Sequence, residues 1–198
     1  MGQPLRRAIT RPNRPRARDI HTWIASLRGI NVGGKNILPM KELVQDLESL
    51  DLRDIQTYIQ SGNAVFRSSS EVSPTLGAQI ATLVENRHGF RPHVLILSAD
   101  QLKSSIDSNP YPEAEAEPKT LHLLFLGSVA TAPDFEALAE ARSPSERFHL
   151  ADSVLYLHAP EGFGRSKVAA KAEKLLGVGV TARNWRTVQK LWEMAAAI

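Results

Sequence analysis

Apolar positions along the chain alternate between a period of two and a period near 3.6 residues, the spacings of strands and of helix faces. The run "TWIASLR", Thr22–Arg28, reads as a first strand. From Pro39 to Leu50, the residues Met40, Leu43, Val44, Leu47 and Leu50 fall on one helical stripe, and proline suits the first helical position. "IQTYIQ" alternates, "SGN" turns and "AVFRS" returns, which predicts a β-hairpin. A second helix over 75–87 carries Leu76, Ile80, Leu83 and Val84 on one side, and "HVLILS" is the fourth strand. Ser98 followed by Gln101 forms the signature of a capping box, opening a short helix that runs to about Ser108.

The same order then recurs. "TLHLLFLG" is a buried strand. "TAPDFEALAEAR" is a helix, with Thr131 as its cap and Pro133 in its first turn. "RFHL" and "VLYLH" are strands joined across "ADS"; "SKVAAKAEKLLG" is a helix closed by Gly177. "VTAR" is a short strand and "NWRTVQKLWEMAAA" a final helix. This order predicts an α+β protein of two tandem ferredoxin-like (βαββαβ) halves plus a C-terminal helix. The halves span 19–108 and 119–198, joined by a Pro/Glu-rich linker, "NPYPEAEAEP", over 109–118, in which "EAEAE", Glu113–Glu117, reads as solvated rather than as a cation site.

Composition narrows the function classes. The chain has 198 residues, 42% hydrophobic and 23% charged, ordinary values for a globular protein with a sizeable core. It has no cysteine, which excludes disulfides, thiolate metal sites and a cysteine nucleophile. No apolar run reaches the roughly 18 residues of a membrane span, and no secretory leader is legible, so a cytoplasmic location is expected. Residues 1–18 hold six arginines and no acid; of the 24 basic residues, 18 remain downstream against 21 acidic ones. The positive net charge therefore belongs to a Pro/Arg tail, expected to be disordered, and the body is net acidic. The six histidines show no H-x-x-x-H pair and no G-x-S-x-G elbow is present, so neither a metal site nor a serine hydrolase is indicated. No motif calls for a cofactor.

"GINVGGKN", Gly29–Asn36, falls one residue short of the phosphate loop G-x-x-x-x-G-K-[ST]. Asn36 stands where that loop needs a hydroxyl for magnesium. Pro39 also sets the helix start about four residues beyond the lysine, whereas a phosphate loop opens its helix at the Gly-Lys itself. A Gly-Gly pair beside lysine can still form a nest of backbone N–H groups for an anion.

Four stretches, "LRGINVGGKNILPMKEL", "TYIQSGNAVF", "GRSK" before a helix and "ARNWRTVQKL", occur in the order found in the domain of unknown function 1697 family. The chain resembles that family over residues 20–192. The resemblance implies a cytoplasmic, mostly bacterial protein of two related α/β halves, and implies no activity. Asn36 agrees with the family's pattern.

These stretches share a chemistry. Arg28, Asn31, Gly33, Gly34, Lys35 and Asn36 lie in the loop after the first strand. Gln60, Ser61 and Asn63 lie at a hairpin tip. Arg165, Ser166 and Lys167 open a helix behind Gly162 and Gly164, and Arg183 and Asn184 precede the last helix. All are donors or cations at element ends, and these end positions include no carboxylate, so neither a magnesium site nor a general base is apparent. Donors without acids suit an anionic ligand, such as a phosphorylated small molecule or a nucleotide. The adjacent cations of "GRSK" oppose the helix dipole, which marks them as candidates for that site. The alternatives are a nucleic-acid-binding protein and an enzyme acting on a small anionic substrate. Against nucleic acid stand the acidic body and the lack of an aromatic-rich strand.

Overall fold

A computed structural model describes residues 20–69 and 75–198, so the basic tail expected over 1–18 lies outside the described residues. The elements run β1 Ile20–Arg28, α1 Met40–Glu48, β2 Arg53–Tyr58, β3 Asn63–Ser69, α2 Leu76–His88, β4 His93–Ser98 and α3 Ala99–Asp107. They continue with β5 Leu121–Leu126, α4 Phe135–Ala141, β6 Arg147–Ala151, β7 Val154–His158, α5 Lys167–Leu176, β8 Val180–Asn184 and α6 Trp185–Ala197. Two four-stranded sheets form, ordered β2-β3-β1-β4 and β6-β7-β5-β8, with every recorded pairing antiparallel. The fold is α+β, and the two sheets share one strand order.

Alternation along the strands sends successive side chains to opposite faces. On β1, Ala25 and Leu27 pack with Leu43 and Leu47 of α1 and Ile80 and Val84 of α2. On β5 and β7, Leu124, Leu126, Leu155 and Leu157 pack with α4 and with Val168, Ala172 and Leu176 of α5. The opposite faces turn toward each other. Ile24, Val65 and Leu95 from one sheet and Leu123, Phe125 and Tyr156 from the other share one core with Leu102 of α3 and with Trp185, Val188, Leu191 and Ala195 of α6. α6 touches strands of both sheets and is a wedge between them. A helix whose apolar residues must meet two walls needs a wide stripe, which its alternating three- and four-residue spacing provides.

Two local expectations change. α4 is capped by Asp134, whose Oδ1 accepts from Ala137 N at 2.9 Å, so the helix begins after Pro133 rather than at Thr131. A carboxylate suits that position because it also meets the helix dipole. Pro39 is the N-cap of α1, one position earlier than expected. In the 109–118 connector, Pro112–Ala116 form a 3-10 turn, and Tyr111 and Ala114 are buried in the central core while Glu113, Ala116 and Glu117 stay exposed. Arg147 lies over the Tyr111 ring and donates to Glu113, which fastens the turn to the second sheet.

Candidate functional site

The glycine loop is a miniature hairpin. Asn31 N donates to Asn36 O at 3.0 Å, Lys35 N donates to Val32 O at 3.0 Å, and Val32 and Lys35 form an antiparallel bridge. Gly33 and Gly34 at its tip both have positive φ, +57° and +73°, which a two-residue hairpin turn of this hand requires. The helix after it begins only at Met40, so no helix N-terminus faces these glycines as a phosphate loop demands. Asn31 and Asn36 also sit in the left-handed region, which asparagine tolerates. Their side chains brace the turn. Asn36 Nδ2 donates to Gly29 O at 2.7 Å; Asn31 Nδ2 donates to Leu38 O and Gln60 O, and its Oδ1 accepts from Leu38 N. Val32, Lys35 and Ile37 stay exposed.

The β2–β3 tip locks onto this hairpin. Leu27 N donates to Gly62 O, and a Cβ added at Gly62 would stand 2.6 Å from Ile30 Cδ1 and 2.9 Å from Leu27 Cβ. No side chain fits there. Asn63 is fully buried; its Oδ1 accepts from Ser26 Oγ and from Arg183 Nε, and its Nδ2 donates to Ser61 Oγ. Gln60 is exposed.

β8 supplies the third part. Arg183 reaches across to β1 and the hairpin tip, where its guanidinium donates to Asn63 Oδ1 (2.6 Å), Leu27 O (2.8 Å), Ala182 O (2.9 Å) and Ser61 O (3.3 Å). Burial pulls it down to about 10 from the ordinary arginine value. Arg183 takes part in no ion pair among the described residues. Asn184 caps α6 through Thr187 N. Beside them, Arg28 donates to Val180 O at 2.7 Å and pairs with Glu173 of α5. Burial works to raise the Glu173 carboxyl; the Val180 N–H and the Arg28 guanidinium outweigh it and hold it below the usual range.

The loop after β1, the hairpin tip and the β8 end therefore meet in one corner between the sheets. The "GRSK" residues stand apart from it. Ser166 caps α5 through Ala169 N, while Arg165 and Lys167 are exposed and their side chains enter no hydrogen bond or ion pair among the described residues. They line a cleft of about 310 Å³ that also holds Arg142, Glu140, Glu146 and Glu161. Lys167 lies six residues before Glu173 on α5, about 9 Å along the axis from the Arg28 pair. Sequence reasoning missed Glu173, Ser26 and these three glutamates, because each comes from a segment outside the motifs.

Both sheet faces turned toward the centre are covered by α3 and α6, so neither offers the open surface of an RNA-reading sheet. Among the described residues no group of three His, Asp or Glu could hold a metal, and no helix is long and apolar enough to cross a membrane.

No curated protein matches the chain. A solved structure, the conserved bacterial protein SP0830 from Streptococcus pneumoniae, is similar in fold: TM-score 0.71 at 23% identity, covering 89% of this chain and 99% of that one. The family model described as protein of unknown function, DUF1697, matches residues 20–156. That span contains the glycine hairpin and the β2–β3 tip, while "GRSK" and "ARNW" lie beyond it; the chain belongs to this family.

Proposed function

We propose that the corner between the sheets binds a phosphate-bearing small molecule, and that each sheet with its two outer helices is a ferredoxin-like unit. The shared strand order, β2-β3-β1-β4 and β6-β7-β5-β8, supports the second part. One observation carries the first: the half-buried Arg183 guanidinium has no carboxylate partner among the described residues, whereas Arg28 beside it is neutralised by Glu173. A buried charge that faces only carbonyl-type acceptors leaves its surroundings positive. An anion placed nearby relieves this, and two groups are free to hold it. Lys35 is exposed without an internal partner, and the Gly33 and Gly34 N–H groups make no hydrogen bond among the described residues.

Calorimetric titration of the full chain with inorganic phosphate, pyrophosphate and ATP tests the reading. Saturable binding with a shallow salt slope is expected, because one or two phosphate groups release few counterions. Lys35→Gln should weaken it about tenfold, the worth of one charge-assisted contact. Binding by none of the three probes, or binding that Lys35→Gln leaves unchanged, overturns it.

A further inference from the structure

We propose that the cleft between α3 and the β6–β7 turn binds a small alkylammonium ion. No basic side chain lines it, and its chemistry is opposite to that of the corner described above.

The cleft exists because of an unusual helix face. Gln101, Ser104, Ser105 and Ser108 recur at the spacing that normally carries the apolar stripe of a docked helix, and they face the second sheet. A leucine at any of these positions would fill the gap; serine leaves a cavity of about 190 Å³. At roughly 30 Å³ per water-sized group it holds about six heavy atoms.

Its floor is apolar and aromatic, with Leu97, Phe125 and Tyr156. Asp152 is the only charged residue lining it, and no basic side chain does. Asp152 stands exposed in the β6–β7 turn and makes no ion pair among the described residues. The last turn of α3 adds the negative end of a helix dipole. The Tyr156 hydroxyl donates to Ser105 O at 2.7 Å, so it is already spent on the protein. That hydroxyl is pushed up to about 12, by burial first and by the Asp152 charge second, so the field of the carboxylate reaches the floor.

An anion would meet a carboxylate and a helix C-terminus. A neutral polyol would use the hydroxyls alone. An alkylammonium uses everything present: the carboxylate and serine oxygens accept from the ammonium, and the chain lies on Leu97 and the ring of Phe125.

The test is a nuclear magnetic resonance titration of the full chain with n-butylammonium, and with 1-butanol and butyrate as its neutral and anionic counterparts. Saturable shifts of the Ser104, Ser108, Phe125 and Tyr156 resonances are expected with the ammonium alone. Asp152→Asn should weaken binding about tenfold; asparagine keeps the left-handed turn conformation, so the fold is undisturbed. Ser104→Leu should abolish the shifts by filling the cavity. No saturable shift with n-butylammonium, equal affinity for 1-butanol, or unchanged affinity in Asp152→Asn overturns the proposal.

Discussion

Replacing Arg183 by methionine removes the guanidinium and keeps most of the aliphatic length. Four acceptors lose their donor: Asn63 Oδ1, Leu27 O, Ala182 O and Ser61 O, of which the first three lie within 2.9 Å and the last at 3.3 Å. Hydrogen bonds from a charged group contribute about 1.5–3 kcal/mol each, so three good ones amount to roughly 5–9 kcal/mol. Against this stands the cost of burying the charge. The fall of the guanidinium to about 10 from the ordinary arginine value corresponds to about 3 kcal/mol. The difference predicts a net loss of about 2–6 kcal/mol.

Urea denaturation followed by circular dichroism reads the change. With a slope of about 2 kcal/mol per molar urea, a loss of 3 kcal/mol moves the midpoint down by about 1.5 M. Arg183→Lys keeps the charge but offers a point donor in place of the fork, and should recover less than half of the loss. Because Asn63 and Arg183 share a bond, combining Asn63→Ala with Arg183→Met should cost less than the two separately, with a coupling of at least about 1 kcal/mol. A methionine variant as stable as the wild type, or more stable, would show that burial outweighs the four bonds. The corner would then not be held by this residue.

Gly62→Ala should destabilise by more than about 2 kcal/mol, since the new Cβ meets Ile30 and Leu27 and φ is +72°; a variant within about 0.5 kcal/mol of wild type in the same assay refutes the locked corner. Arg165→Gln with Lys167→Gln should leave the melting temperature unchanged or raise it, because neither side chain has a partner among the described residues and both oppose the α5 dipole; a clear drop refutes this. His122 is half-buried and stacked on Phe163 at 4.1 Å between ring centres, and burial lowers it to about 4 from 6.5. The unfolded chain then binds the extra proton first, so stability should be full above about pH 6.5 and fall by up to about 3 kcal/mol as pH drops to 4. Urea titrations across that window should show the loss in wild type and not in His122→Leu; an equal loss in both refutes the assignment.

The elements were legible where their signals are local. Strand alternation, the Ser98–Gln101 box and the Gly177 terminus each act within a few residues, and the structure contains all three. The α4 start was not legible because Thr131 and Asp134 are both good caps. What decides is a distant contact, Asp134 N donating to Leu175 O of α5. The placement of α6 between the sheets was also hidden. The strand patterns show that each sheet has two apolar faces, but two outer helices per sheet cover only one of them. Something had to cover the other face. Both surplus helices, α3 and α6, end there.

The candidate site was legible as a set of residues and not as a set of roles. Asparagine, glycine and arginine at loop ends read alike whether they wait for a ligand or hold a turn, because the deciding partner is a backbone carbonyl that composition cannot reveal. Asn31 serves Leu38 and Gln60, Asn63 serves Ser26 and Ser61, and Arg183 serves Leu27, which precedes it by 156 residues. A donor so engaged cannot bind a ligand without breaking the corner. On the proposed reading, binding falls to the donors left over, the Lys35 side chain and the N–H groups of Gly33 and Gly34. The braced residues still matter to it. A free hairpin tip would lose its order on binding, at about 1–2 kcal/mol for each residue fixed, whereas the asparagines have already fixed this one.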